Sequence, residues 1–196
     1  MSPRDPAPTR AAIIAAAATL LESGGPEAVT LRSVGTAAGV SRSAAYRHFD
    51  DKAALLRALA THTLTDLATR IRRAAAEGQR SQLHRGSAAY IAHAVEQPHH
   101  YQLIFGDTPL AQPGPELDAA ADDGMRALRE LVERAQADGE LPDGPPRELA
   151  TTLWALLHGL AHLRNTGHLH EPRTVNGDTG IDDLLTLALA TLHPSD

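Results

Sequence analysis

Apolar residues in this chain recur at helical spacing, and no stretch alternates apolar with polar side chains as a half-buried strand would, so an all-α fold is expected. Ile13, Ala17, Leu20 and Leu21 stand at i, i+4, i+7 and i+8 behind a capping Thr9, which predicts an amphipathic helix over residues 9–22. The run Ser23-Gly24-Gly25-Pro26 should end it, because two glycines followed by proline cannot continue a helix. Thr30 then caps a short second helix carrying Leu31, Val34 and Ala38, with Gly39 in the left-handed position that closes it. Ser41 caps a brief third helix, and Asp50-Asp51 form the cap and first turn of a fourth over residues 51–76. Beyond Gly78 the punctuation is proline, which predicts helices over residues 81–97, 98–105, 116–138, 145–165 and 178–192.

The apolar share of 42% is ample for a buried core, and the net charge of −6 points to no polyanionic partner. The distribution of charge says more. Residues 1–57 carry seven Lys/Arg against five acids, a net +2, whereas the rest carries 11 bases and 19 acids, a net −8. Only the N-terminal end is therefore expected to meet nucleic acid. The absence of cysteine removes disulfides, thiolate catalysis and Cys-based zinc sites, and a reducing cytoplasm is the expected compartment. Residues 11–21, behind Arg4 and Arg10, resemble a signal-peptide core in length, but their helical period and the capping Thr9 favour an amphipathic helix. No stretch is long enough to span a membrane, and no membrane partner is expected.

The most informative segment is Thr30 to Lys52, T-L-R-S-V-G-T-A-A-G-V-S-R-S-A-A-Y-R-H-F-D-D-K. Two short helices flank Gly39-Val40, a tight turn with one apolar residue directed inward. That is what a helix-turn-helix requires, since its second helix must enter a groove about 12 Å wide while the first lies across the backbone. Ser41 to His48 is then the recognition helix. The candidate DNA-contacting residues are Thr30, Arg32, Ser41, Arg42, Ser43, Ala44, Tyr46, Arg47, His48 and Lys52. Lys52, at the start of the fourth helix, pairs a cation with free backbone N–H groups to hold a phosphate.

This segment resembles the TetR family of one-component bacterial repressors at Thr30, Val34, Ala38, Gly39, Val40, Ser41, Tyr46, His48, Phe49 and Lys52. It departs at Gly35, where the family usually carries alanine, and at Ala45, where a larger apolar residue is usual. Further on, Trp154 to Gly159 reads W-A-L-L-H-G, similar to the W-H-G signature of one C-terminal subgroup. The resemblance implies an α-helical homodimer whose larger domain holds a small-molecule pocket, with ligand binding there changing the spacing of the two recognition helices.

The expected organisation is a DNA-binding domain over residues 1–50 and a ligand-sensing, dimerising domain over residues 51–196. The expected function is repression by occupying palindromic double-stranded operator DNA, relieved by an inducer. For that inducer, Leu67, Ile71, Tyr90, His93, Phe105, Met125, Leu128, Trp154 and His158 combine apolar walls with a few polar groups. Bases are sparse in this region, so a neutral or cationic organic effector is expected. The uncharged runs 150–163 and 184–192 leave two helices without a polar face, which a partner copy would cover.

Two other readings compete. Histidines, especially His158 and His162 with His93, His99 and His100, allow a metal-responsive regulator, although no Cys, Asp or Glu completes a ligand set on the helix of His158. A structural dimerisation module would explain the C-terminal helices but leave the N-terminal motif without purpose. No cofactor is expected, and an enzyme is not: no nucleophile elbow, phosphate loop, H-E-x-x-H or thiol is present. Asp122 and Asp123 are adjacent and so read as a solvated helix face rather than a catalytic pair.

Overall fold

Local capping and glycine conformation set the first helices. In the computed structural model, which describes residues 6–106, 114–169 and 180–192, α1 (Pro6–Ala28) loses helical dihedrals at Gly25, with φ 65° and ψ −171°. Helical geometry therefore ends at the Gly-Gly-Pro run as expected, and Pro26 starts a separate short turn up to Ala28. The hydroxyl of Thr30 accepts the Ser33 N–H of α2 (Leu31–Ala37) at 3.0 Å, and Ser33 returns the bond to the Thr30 N–H at 3.0 Å. This reciprocal capping box satisfies two otherwise orphaned donors. Gly39 sits at φ 66° between α2 and α3 (Arg42–His48), and Asp51 accepts the Ala54 N–H at 2.7 Å to open α4 (Lys52–Ala76). The remaining helices are α5 (Gln82–Glu96), α6 (Pro98–Phe105), α7 (Pro115–Ala137), α8 (Pro146–Asn165) and α9 (Ile181–Ala190). All regular structure among the described residues is helical, and none of these helices is long and apolar enough to cross a membrane.

The chain forms two compact units, residues 1–64 with 97–120 and residues 65–96 with 121–196. In the first, Ile13, Ala17 and Leu21 form the buried stripe of α1 and pack with Leu31, Val34, Ala45, Phe49, Leu55, Leu59 and Leu103. Burying each of the larger side chains contributes roughly 1.5–3 kcal/mol. Two histidines fasten α6 here: His99 donates from Nδ1 to the Glu22 carbonyl at 3.1 Å, while His100 donates from Nε2 to the Ala18 carbonyl at 3.2 Å. The His100 Nδ1 meets the buried Thr63 hydroxyl at 3.0 Å.

In the second unit α5 packs on α8 and α9, around Leu83, Ile91, Leu153, Leu157 and Leu185. Arg72 forks onto both oxygens of Asp123, at 2.9 Å each, and reaches Glu130 at 3.0 Å. The Arg72 guanidinium, bonding the carboxylate, holds Asp123 below the usual carboxylate range. Asp123 is therefore an anchor between α4 and α7, and only Asp122 keeps the solvated role expected of both. Arg85 bonds the last carbonyls of α4, at Ala74 (2.9 Å) and at Ala75, groups that a helix end otherwise leaves open.

Two helical glycines should respond oppositely to a methyl group. A Cβ at Gly35 meets Ala45 and the Val40 carbonyl at 3.7 Å, ordinary contact distances. Gly35→Ala should then gain helix propensity, about 1 kcal/mol, and raise the melting temperature by about 2–4 °C. At Gly86 the same atom falls 2.5 Å from Leu131 Cδ1, and Leu131, only 1% exposed, has nowhere to retreat. Gly86→Ala should lower the melting temperature despite better propensity, because overpacking costs roughly 1–3 kcal/mol. Thermal denaturation by circular dichroism reads both; a lower melting temperature for Gly35→Ala would contradict the packing described between α2 and α3.

Candidate functional site

The third helix owes its two faces to seven residues. Ala44 and Ala45, 7% and 0% exposed, turn inward, while Arg42, Ser43, Tyr46 and Arg47 stand in solvent on the opposite side. Small residues inward let α3 lie close to α2, and every long polar side chain is left on the outer face. Ala44, grouped with the contact residues on sequence alone, is thus a packing residue: the helical period places it on the inward side. Ser41 caps the helix, accepting the Ala44 N–H at 3.2 Å and sharing a hydrogen with the Ser43 hydroxyl at 3.0 Å. The Arg42 guanidinium lies 5.5 Å from the centre of the Tyr46 ring, whose side is 45% exposed. Stacking of this kind restricts the arginine before it meets any partner.

The other expected contact residues stand apart in kind. The Thr30 hydroxyl is committed to its capping box, and Arg32 projects from the exposed side of α2. His48 is half-buried and lines a cleft of about 330 Å³ with Arg10, Phe49, Arg57 and Glu116, where Arg10 lies 5.5 Å over the Phe49 ring. Lys52 reaches Glu27, whose side chain is 95% exposed, at 3.6 Å. The Ala54 amide is not free at this helix start, since the Asp51 carboxylate already occupies it, so Lys52 supplies a charge rather than one part of an open amide nest.

The expected effector residues fall into separate environments. Leu67, Ile71, Tyr90, His93 and Leu128 are 4% exposed or less, within the core of the second unit. Trp154 and His158 are partly exposed on α8 with rings 5.5 Å apart, and His162 stacks on His158 at 6.5 Å. Burial, reinforced by the neighbouring His162, pushes the His158 imidazole below its ordinary value and keeps it neutral at pH 7. Met125 lines an open cleft between α7 and α8. Phe105 belongs to the first unit, where its ring lies 5.0 Å from that of Tyr101. Its place on α6, packed with α1, removes it from the core that holds the other residues.

Sequence reasoning missed two polar residues here, Ser87 inside this core and the partly exposed Asp66 at its edge. Ser87, 0% exposed, has no hydrogen-bond partner for its Oγ among the described residues, and Asp66 Oδ2 lies 3.9 Å from His93 Nδ1 while also accepting from Arg70 at 2.7 Å. Ser87 stands three residues before Tyr90, so helical spacing was the signal that would have found it. Among the described residues no group of three or more His, Asp or Glu side chains is placed to hold a metal ion.

Comparison with known proteins agrees with this geometry. The family model of bacterial regulatory proteins, tetR family, matches residues 13–59, and that of the tetracyclin repressor-like C-terminal domain matches residues 83–192. An uncharacterized HTH-type transcriptional regulator of Mycobacterium tuberculosis is 28% identical over 160 residues, 81% of this chain and 71% of that protein. A protein of unknown function from Rhodococcus sp. RHA1 superposes with a TM-score of 0.78 at 28% identity, covering 94% of this chain and 93% of that one. A TetR family transcription regulator from Marinobacter aquaeolei VT8 shares the fold, with a TM-score of 0.62 at 19% identity over 92% of this chain and 93% of the other.

Proposed function

Since the chain belongs to the tetR family of bacterial regulatory proteins, we propose that it is a cytoplasmic, ligand-responsive repressor that occupies palindromic operator DNA as a homodimer. The observation that carries this reading is the outer face of α3. Arg42, Ser43, Tyr46 and Arg47 stand in solvent on a helix held by a capped start and a left-handed glycine turn, which is the rigid presentation that base recognition needs. Residues 1–50 read the DNA, and residues 51–196 bind the effector and the second copy. The protein acts by binding and release, with no chemical step. Footprinting on the DNA upstream of its own coding sequence tests this; protection of a symmetric site is expected, and uniform weak protection would refute it.

We further propose that the effector is a neutral or cationic organic molecule held in the second unit. Leu67, Ile71 and Leu128 would supply apolar walls, Ser87, Tyr90 and His93 the polar groups, and Trp154 with neutral His158 the rim. The Ser87 hydroxyl, buried without a partner among the described residues, asks for one, and a bound ligand is one answer. Ser87→Ala should therefore leave the free protein as stable as before, or more stable, because no protein hydrogen bond is lost. The same change should raise the inducer concentration needed for DNA release by about 10-fold, one hydrogen bond's worth. His158→Ala and Trp154→Ala should shift release in the same direction while DNA affinity without inducer stays unchanged. Release curves for all three variants that overlay the wild type would place the effector elsewhere.

A further inference from the structure

We infer that the second unit carries another ligand site, for a small organic anion, in the open cleft between α7 and α8 where Arg126, Arg129 and Arg147 converge. The inference goes beyond the effector reading and does not depend on it. The cleft encloses about 410 Å³, within the range of small-molecule sites. Arg126 and Arg129 stand three apart on α7, and Arg147 comes from the first turn of α8, so two separate elements bring the charges together. Composition does not require this. The unit holds 11 arginines against 16 acids, a net −5, yet three arginines and only one acid, Asp122, line this cleft.

Existing partners hold these arginines weakly. Arg126 reaches Asp123 at 3.1 Å, a carboxylate already bonded by Arg72, and Arg129 reaches Glu133 at 3.4 Å. Exposed pairs of this kind contribute only a few tenths of a kcal/mol, so an incoming anion displaces them at little cost. Arg147 makes no ion pair among the described residues. Guanidinium forks match the planar or trigonal oxygens of a carboxylate or phosphate monoester. Met125 and Ala150 line the same cleft and suit a short hydrocarbon portion, while the Thr151 hydroxyl, donating to the Arg147 carbonyl at 2.9 Å, retains lone pairs toward a ligand hydroxyl. Asp122 disfavours extended polyanions.

Calorimetry and arginine side-chain NMR on the full chain, at constant ionic strength in chloride, test the site with hexanoate and glycerol 3-phosphate as probes. At least one should bind saturably, once per chain, and shift the Arg147 side-chain resonance; which one does so separates carboxylate from phosphate. Arg147→Ala and Arg126→Ala should each weaken that binding about 10-fold, the worth of one charge-assisted hydrogen bond. Arg147→Lys should recover part of the loss, and Arg42→Ala should leave binding unchanged, since Arg42 lies on the DNA-facing helix. Folding is checked by melting temperature, and Arg126→Ala stands in should Arg147→Ala prove unstable. Non-saturating responses to both probes, or an affinity indifferent to Arg147 and Arg126, would overturn the site.

Discussion

Replacing Arg42 by alanine should reduce operator affinity by roughly 10- to 100-fold while leaving binding to unrelated DNA nearly unchanged, because a bidentate contact to a base contributes about 1–3 kcal/mol of discrimination. The guanidinium stands on the outer face of α3, pre-oriented over Tyr46 at 5.5 Å, so little side-chain entropy is left to lose on binding. Tyr46→Ala, which removes that platform, should lower affinity in the same direction by a smaller factor. Lys52 should behave differently. Its pair with Glu27 is fully surface-exposed on the acidic side and gives way readily to a phosphate. Lys52→Ala should therefore weaken specific and nonspecific binding alike and reduce the slope of log affinity against log salt by about one. Fluorescence anisotropy with operator and scrambled duplexes at several salt concentrations separates the two patterns. Equal losses on both duplexes for Arg42→Ala would remove α3 from base reading. Half-sites should lie about one helical turn apart or a small multiple of it, as two copies of one helix require.

The second large effect is expected at the proposed dimer interface. Leu187→Glu should convert the protein from dimer to monomer at micromolar concentration. On α9, Leu185 and Leu189 face inward at 1% and 6% exposure, whereas Leu187 is 63% exposed, more than any other large hydrophobic side chain among the described residues. On α8 the inward stripe is Leu153, Leu157 and Ala161, and the opposite side presents Ala155 and Gly159, small enough for a second helix to approach closely, with Leu163, 41% exposed, as an apolar contact beside them. A copy of the same two helices would cover both faces as a four-helix bundle. A charge placed at Leu187 would be buried unpaired in that bundle, a change large enough to abolish association. Sedimentation velocity measures it. The contrasting substitution is Leu185→Glu, which strikes the core of a single chain and should unfold it rather than separate two folded copies. A Leu187→Glu protein that sediments as the wild-type dimer would exclude this face.

Much of this was readable from local chemistry. Thr30, Gly39 and Ser41 act within a few residues of themselves, through a capping bond or a left-handed φ, so their roles followed from identity and spacing. The same holds for α6, whose bounds are those expected for residues 98–105, since Pro98 fixes its first turn. The helix end expected at Gly24-Gly25-Pro26 is present at Gly25, and what the sequence reading lacked is the short turn that Pro26 starts, which needs only Val29 to reach the Pro26 carbonyl at 3.3 Å.

The candidate site was readable to the extent that helical period decides it. Period alone separates the outer Arg42, Ser43, Tyr46 and Arg47 from the inner Ala44 and Ala45 once the direction of the core is known, and that direction comes from Leu31, Val34 and Phe49 on other segments. The sequence by itself thus determined the all-α class, the capped turn between α2 and α3 and the charge asymmetry, because each is set by residue type and near neighbours. Only the tertiary structure decided that Asp123 is an anchor for Arg72, that Leu185 is core while Leu187 is surface, that Ser87 is sealed without a partner among the described residues, and that three arginines from α7 and α8 share one cleft. Those outcomes depend on which face of one helix meets which face of another many residues away, and a one-dimensional period fixes the angle between residues but not the neighbour each one meets.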